Sequence, residues 1–114
     1  MYDSSVLMYY WRKNVRRLEG YTAILCVIEF PKALKIRGLR AIYPSSDDYD
    51  EALRIAVDLL HAGTPIGSSD IIIAAIALNR DLILVTMDKD FEHVKSVRPE
   101  LKLKLIKQKE RKNH

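Results

Sequence analysis

The chain has 114 residues, of which 48% are hydrophobic and 30% are charged. This length supports one domain with a real core, and the composition excludes an intrinsically disordered chain. No run reaches the roughly 18 apolar residues of a membrane span, and the N-terminus lacks a signal-peptide pattern. Cys26 is the only cysteine, which excludes a disulfide framework and a cysteine-based zinc site. We therefore expect a single cytoplasmic domain.

The net charge of +4 is unevenly distributed. Residues 102–114 hold six Lys or Arg and one Glu, a local charge of +5, so the other 101 residues sum to −1. Such a segment can bind phosphate backbones through charge, or it can be a solvated end. A second basic group, Arg12, Lys13, Arg16 and Arg17, follows three aromatic residues. It can hold single-stranded nucleic acid by charge and stacking, or it can be the outer face of an amphipathic helix.

The first half of the chain is predicted to begin with a very short strand at residues 2–4. A helix follows at about 5–17, which Gly20 ends, and residues 21–24 form the second strand. The next helical span, 25–35, contains Pro31 and is therefore kinked or broken there. The following stretch, to residue 46, is predicted to be mostly irregular, although four of its residues, 40–43, can pair as a strand.

The second half contains two longer helices. Ser45 or Ser46 can cap the first, whose opening turn holds two aspartates that favour the helix dipole. That helix runs to His61 and ends before Gly63, a common residue after a helix C-terminus. The second begins at Asp70 after a short loop, and it is apolar on nearly all sides, which is typical of a buried helix.

The remaining residues are predicted to complete an α/β fold. A short buried strand at 82–86 is followed by a helix that Asp90 can cap and that ends near Val97. After Pro99, leucines and lysines alternate over residues 101–105, as on a half-exposed strand. Alternating strands and helices predict a mainly parallel sheet covered on both faces.

Five acidic residues share one position in this pattern, because each lies just past a strand end or at a helix start on the same side. They are Asp3, Glu29, Asp70, Asp88 and Asp90. In open α/β sheets, ligands bind beyond the carboxyl ends of the strands. Clustered carboxylates raise one another's pKa values, and a divalent cation relieves that cost. Hard oxygen ligands favour Mg²⁺ or Mn²⁺ over Zn²⁺, so the pattern predicts a magnesium or manganese site.

Each acid also has a purely structural interpretation. Asp70 and Asp90 can cap their helices, Glu29 can form an ion pair with Lys32, and Asp3 can be solvated without a role. The two central histidines, His61 and His93, are not assigned to catalysis. Cys26 is expected to be a small core residue.

The motifs DSSVL (3–7), VIEF (27–30), SSDIIIAAIAL (68–78) and LVTMDKDF (84–91) resemble those of PIN-domain nucleases. They occur in the family's order over residues 2–106, which is nearly the whole chain. The Asp-x-x-x-Ala-Ala helix and the Thr-x-Asp-x-Asp-Phe motif are the specific ones, whereas the two N-terminal motifs are short. The small size is similar to that of the toxins of VapBC toxin–antitoxin pairs.

The resemblance implies a three-layer α/β/α sandwich, which is expected to span residues 1–106. The charge pattern predicts a basic C-terminal tail at 107–114. The resemblance also implies a metal-dependent endoribonuclease that uses Mg²⁺ or Mn²⁺ and leaves a 5′-phosphate and a 3′-hydroxyl. The partners expected are RNA, a small antitoxin protein and a second copy of the chain in a homodimer. The apolar face at residues 6–11 can supply the dimer interface, or it can belong to the core.

The resemblance also assigns roles to individual residues. The family's four acidic catalytic positions fall on Asp3, Glu29, Asp70 and Asp88. Metal binding is assigned to Asp3, Asp70, Asp88 and Asp90, and Glu29 binds directly or through water. Ser4 and Thr86 are expected to orient a phosphate or a carboxylate by hydrogen bonding. Arg12, Lys13 and Arg16 are the expected nucleic-acid contacts.

Only Met1 and Tyr2 precede Asp3, which departs from the family pattern. Either the start codon is misassigned, or the first strand is truncated and Asp3 is loosely held.

Two other classes of protein stay open. A PIN-like module that binds RNA or protein without cutting is one. A phospho-acceptor receiver domain is the other, although it would have an adjacent acidic pair where Asp3 stands alone.

Overall fold

Two pairs of parallel strands form the centre of the computed structural model, which describes residues 1–107. Strand β1 (Arg17–Ala23) pairs with β2 (Arg37–Ile42), and β3 (Leu84–Thr86) pairs with β4 (Leu103–Leu105). Tyr2 joins the two pairs through parallel bridges to β1 and β3. The order across the sheet is therefore β2, β1, Tyr2, β3, β4, with every pairing parallel, as the alternating pattern predicts.

Within the described part of the chain, five α-helices and one 3₁₀-helix pack with this sheet in a three-layer α/β/α sandwich. They are α1 (Ser4–Arg12), α2 (Ile24–Glu29), a 3₁₀-helix (Pro31–Lys35), α3 (Ser46–His61), α4 (Ser68–Asn79) and α5 (Phe91–Val97). Residues 73–77 of α4 are fully buried, which explains why this helix is apolar on nearly all sides. No helix within residues 1–107 is long and apolar enough to cross a membrane.

The first helix is shorter than the sequence predicts, and the following strand is longer. Asn14 adopts a left-handed conformation (φ 62°), which ends α1 near Arg12. Gly20 lies inside β1 instead of ending the helix, with φ +146°. A Cβ atom at Gly20 would lie 3.1 Å from the ring of Tyr2, so glycine lets that ring pack against the strand. The helical prediction over 13–17 was therefore wrong, because the turn at Asn14 ends the helix and Arg17 already pairs with Arg37 of β2.

Pro31 breaks the second helical span, which ends at Glu29 and resumes as a 3₁₀-helix. The stretch after it is a regular edge strand, β2, and not mostly irregular as predicted. Farther along, the predicted boundaries of α3 and α5 agree with the structure, and Ser45 is the N-cap of α3. The strands β3 and β4 are each two residues shorter at their start than predicted.

The apolar face of α1 belongs partly to the core. Val6 and Leu7 are fully buried, so of the two alternatives for residues 6–11 the core holds at these two positions. The largest fully buried apolar side chains of the core are Leu7, Ile55, Leu59, Ile73, Ile76, Leu84, Phe91 and Leu101.

Candidate metal centre

The five predicted acids lie where the strands of the sheet have their carboxyl ends. We name this side of the sheet the acidic edge. Asp3 follows Tyr2 directly, and Glu29 is the last residue of the helix that follows β1. Asp70 lies in the first turn of α4, and Asp88 and Asp90 lie in the loop after β3. Because parallel strands end at the same edge, chain positions far apart in sequence meet there.

Three of these acids come close enough to share a cation. Asp70, Asp88 and Asp90 each offer one carboxylate oxygen, and these oxygens all lie within 4.8 Å of one another. The backbone N–H of Asp90 donates to Oδ1 of Asp88 (2.9 Å), which holds the loop in a tight turn. Asp3 and Glu29 are outside this group of three.

Asp3 is buried, with 4% of its surface exposed, and it is held by three side chains. The hydroxyls of Thr86 (2.8 Å) and Ser5 (3.0 Å) donate to its Oδ2, and the thiol of Cys26 donates to its Oδ1 (3.7 Å). Its backbone N–H donates to the carbonyl of Val85 (2.9 Å). The expectation that a short first strand leaves Asp3 loosely held or solvated was therefore wrong.

Thr86 and Ser5 also fix the loop that carries the other aspartates. The N–H of Asp88 donates to Oγ1 of Thr86 (3.0 Å), and the N–H of Met87 donates to Oγ of Ser5 (3.1 Å). One hydroxyl on β3 and one on α1 thus connect Asp3 to the start of that loop. The orienting role expected of Thr86 stays a prediction, to which this hydrogen bond gives a partner, Asp3.

Ser5 is the residue that sequence reasoning missed. The neighbouring serine, Ser4, was expected to orient site groups, and its hydroxyl donates to Oε2 of Glu29 (3.3 Å). The signal for Ser5 was its position two residues after Asp3, which is the N-cap of α1. A hydroxyl in the first turn of a helix can reach back to the side chain of the cap residue.

Burial, the largest cause, and charge repulsion from Asp3, Asp88, Glu29 and Asp90 together raise the pKa of Asp70 to about 6. All five acids therefore share one electrostatic environment. Asp90 occupies the N-cap position of α5, as predicted, but its side chain makes no cap hydrogen bond. The N-cap of α4 is Gly67, so the capping interpretation of Asp70 was wrong.

The side chains present fit a hard divalent cation. Three adjacent carboxylates are the oxygen ligands that Mg²⁺ and Mn²⁺ prefer, and their mutual repulsion is relieved by positive charge. Burial and the charge of Asp3 raise the pKa of the Cys26 thiol to about 12, so it stays protonated and is not a soft-metal ligand. His61 and His93 are exposed and outside the cluster.

The three basic residues expected to bind nucleic acid lie away from the acidic edge. Arg12 ends α1, whose first turn is at that edge, and Lys13 follows it. The guanidinium of Arg16 lies 3.4 Å from the ring centroid of Trp11 and donates to the carbonyls of Trp11 and Val15. Arg16 thus closes the end of α1, and its role toward nucleic acid stays a prediction.

Comparison with known proteins agrees with this architecture. A model of the PIN domain family matches residues 15–97, a span that includes every acid of the edge except Asp3. No match was found among curated proteins.

Two solved structures share the fold at low sequence identity. A toxin–antitoxin complex from Klebsiella pneumoniae has a TM-score of 0.60 and 16% identity, over 79% of this chain and 88% of that chain. VapBC2 from Rickettsia felis, bound to a DNA fragment from their promoter, has a TM-score of 0.59 and 19% identity, over 75% and 73%. With the family model matching most of its length, this chain belongs to the PIN domain family.

Proposed function

We propose that this protein is a metal-dependent endoribonuclease that hydrolyses RNA phosphodiester bonds. The observation that carries the proposal is the meeting of Asp70, Asp88 and Asp90, with carboxylate oxygens within 4.8 Å, at the carboxyl edge of a parallel sheet. Asp3 and Glu29 extend the same cluster, since both act on the charge of Asp70. The PIN family is a family of nucleases, which supports hydrolysis of a nucleic acid.

Asp70, Asp88 and Asp90 would hold Mg²⁺ or Mn²⁺, with Asp3 as a further ligand and Glu29 as a direct or water-mediated one. When bound, such an ion lowers the pKa of a water and offsets negative charge on the phosphate. The protein itself supplies position. The hydroxyls of Ser5 and Thr86 fix the direction of the Asp3 carboxylate, and Ser4 does the same for Glu29. Pre-positioned ligands of this kind avoid reorganisation during the reaction.

A role as the toxin of a toxin–antitoxin pair is the finer part of the proposal. It is supported by the sequence motifs and by two solved structures of the same fold, one described as a toxin–antitoxin complex and the other as VapBC2 bound to promoter DNA. A small antitoxin encoded beside this protein would bind it and block the acidic edge. Co-expression of the neighbouring gene and measurement of residual cleavage would test this part.

The homodimer stays a prediction, but the structure favours a different apolar surface for its interface. Since Val6 and Leu7 are buried, the better apolar surface is the outer face of α3. Its exposed apolar side chains are Tyr49, Leu53, Val57 and Leu60. Light scattering in solution would distinguish the 13.2 kDa monomer from a particle of twice that mass, and a monomeric result at high concentration would contradict the dimer.

Cleavage of RNA by the purified protein is the direct test. We expect cutting in Mg²⁺ or Mn²⁺, with 5′-phosphate and 3′-hydroxyl ends, and none in EDTA. Asp88→Asn should remove the activity because it removes a carboxylate from the group of three. Asp50→Asn is the matched control, since Asp50 is exposed on α3 and outside the cluster.

The outcomes separate the alternatives. Cutting that persists in EDTA or in Asp88→Asn would contradict the proposed site. Absence of both cutting and Mn²⁺ binding by calorimetry would contradict the nuclease and favour a module that binds RNA or protein without cutting.

A further inference from the structure

Two cations lie against the indole ring of Trp11. The guanidinium of Arg16 is 3.4 Å from the ring centroid, and Nζ of Lys32 is 6.0 Å from it. The ring of Phe30 packs against the same indole in a T-shaped arrangement, with centroids 6.2 Å apart and planes at 77°. Trp11, Arg16 and Phe30 are half-buried and Lys32 is exposed, so solvent reaches this group. We name these four side chains the tryptophan platform.

The platform begins beside the acidic edge. Phe30 directly follows Glu29, whose carboxylate accepts a hydrogen bond from Ser4 at the start of α1. Seven residue steps along α1 separate Ser4 from Trp11, a distance of about 10 Å. A nucleic-acid strand that reaches the carboxylates can therefore also pass over the platform.

The positive charges of the platform are available to a ligand. Arg16 and Lys32 form no ion pair with any carboxylate within residues 1–107, so the ion pair between Glu29 and Lys32 that the sequence allows is absent there. Nη1 of Arg16 donates to the carbonyls of Trp11 (2.9 Å) and Val15 (3.1 Å). These two bonds hold the guanidinium against the indole, so little side-chain entropy is lost when a ligand binds it.

An indole and a guanidinium in contact form a surface on which a nucleobase can stack. Unpaired bases of RNA stack on aromatic rings and on the planes of arginine side chains. A lysine beside such a surface can bind the phosphate that joins the stacked base to the next one. In a duplex, the faces of the bases are covered by the neighbouring base pairs. The platform therefore fits a single strand and not a duplex.

We propose that the tryptophan platform binds a single-stranded segment of the RNA substrate, with a base stacked on the Arg16–Trp11 pair and a phosphate beside Lys32. The identity of the substrate rests on the proposed nuclease function. Of the basic residues that the sequence suggests, the platform selects Arg16. Nζ of Lys13 lies over the ring of Tyr9 (5.6 Å), two positions from Trp11 and therefore on the opposite side of α1. Stacking and charge do not depend on base sequence.

The only tryptophan of the chain is Trp11, so its fluorescence reports on the platform itself. Anisotropy of a labelled single-stranded RNA measures affinity at several KCl concentrations. Quenching of Trp11 by the same RNA without its label measures binding at the platform. Both titrations are made in EDTA, so that binding is recorded without cutting, and a duplex of the same sequence is the second probe.

Two double variants, each losing two cations, are compared. Arg16→Gln with Lys32→Gln changes the platform. Lys102→Gln with Lys104→Gln is the matched control, because these exposed lysines lie at β4, the opposite end of the sheet from β2. Arg16→Lys keeps the charge but loses the planar group. Thermal melting verifies that each variant is folded, and Lys32→Gln alone replaces the platform variant if the latter does not fold.

We expect the single strand to quench Trp11 with the midpoint that anisotropy gives, and the duplex to leave the fluorescence unchanged. At about 0.1 M KCl the platform variant should bind the single strand at least about fivefold more weakly, with a slope of log K against log salt smaller by about 1.4. Arg16→Lys should also bind more weakly, but with the wild-type slope. The control variant should stay within about twofold of the wild type.

Several results would overturn the proposal. Anisotropy that changes without quenching of Trp11 would mean that RNA binds elsewhere, and equal losses in the two double variants would mean that total charge decides affinity. Equal quenching by the duplex would contradict stacking, and a wild type that binds no RNA would contradict the platform as a whole. Failure of the nuclease is distinguishable, because the wild type would then bind RNA and quench Trp11 without cutting RNA in Mn²⁺.

Discussion

Replacing Asp70 with Asn is expected to abolish RNA cleavage and, in metal-free buffer at about pH 7.5, to make the folded protein more stable. The loss of cleavage should be at least about 100-fold, since one of three adjacent cation ligands is removed. The gain in stability comes from removing a negative charge that the other carboxylates repel. Burial and four neighbouring carboxylates raise the pKa of Asp70 to about 6, so its ionised form is held against repulsion.

The pH dependence gives this prediction its sign. The ordinary pKa of an aspartate is 3.8, and that of folded Asp70 is about 6. Between these values the folded state binds more protons than the unfolded state, so wild-type stability falls as pH rises through this window. The advantage of Asp70→Asn should therefore be absent below about pH 4 and complete above about pH 7, with a melting temperature higher by roughly 4 °C.

Thermal melting in EDTA across this pH range, with Asp50→Asn as the control, measures the effect. Added Mn²⁺ should reverse the order, because the ion stabilises the wild type and is bound poorly by the variant. A lower melting temperature at neutral pH would show that Asp70 supports the fold, and the lost cleavage would then be explained by unfolding. Cleavage retained by the variant would remove Asp70 from the site.

Asp48→Ala is expected to cause the largest loss of stability, about 2–4 kcal/mol, because it removes a buried carboxylate that accepts three hydrogen bonds, one of them from the partly exposed Arg80. Asp48 is fully buried at the start of α3. Its Oδ1 accepts from Arg80 (2.9 Å) and Asn79 (2.8 Å) at the end of α4, and its Oδ2 accepts from the N–H of Ser45 (2.8 Å). One carboxylate thus caps α3 and joins it to α4.

Acid should weaken this contribution. Burial raises the pKa of Asp48, but the hydrogen bonds from Arg80, Ser45 and Asn79 outweigh burial and hold the pKa at about 2. The stabilisation is therefore complete above about pH 4 and is lost as pH falls toward 2.

Urea unfolding at pH 7 and at pH 3 measures this stability difference, which should shrink at the lower pH. The control is Asp47→Ala, an exposed neighbour that loses only a helix-dipole interaction of about 0.3–1 kcal/mol. Cleavage per folded molecule should stay at the wild-type level, since Asp48 contacts the C-terminal end of α4, whereas Asp70 lies in the first turn of that helix. An equal effect of the two substitutions would contradict the stabilising role of the Asp48 carboxylate.

The positions of the five acids could be predicted from sequence because each follows a local signal. Asp88 and Asp90 come just after a short apolar run, and Asp70 comes at the start of a buried helix. The assignment of each of these acids therefore depends only on residues nearby in the sequence. The capping box of Ser45 and Asp48 is local in the same way. The resemblance to PIN nucleases added the roles of these acids, which the pattern alone did not give.

The errors came from contacts that are distant in sequence. Residues 15–17 continue the basic, aromatic pattern of a helix, yet they turn back because Asn14 is left-handed and β2 is available for pairing. Gly20 was interpreted as a helix end. Its actual role, to leave room for the ring of Tyr2, depends on a contact with a residue far away in the sequence. Ser5 was missed because its hydrogen bonds to Asp3 and Met87 depend on where β3 lies.

The hydrogen bond from Thr86 to Asp3 joins residues 83 positions apart, and it has a consequence for the protein during its synthesis. Chains emerge from the ribosome N-terminus first, and pairings of long sequence separation form last. A nascent chain that has reached only the end of α4 contains Asp3, Glu29 and Asp70 but neither Thr86 nor the loop of Asp88. The acidic edge is therefore completed only when nearly all of the domain has been made, so on the proposed function a partly synthesised chain would not cut RNA.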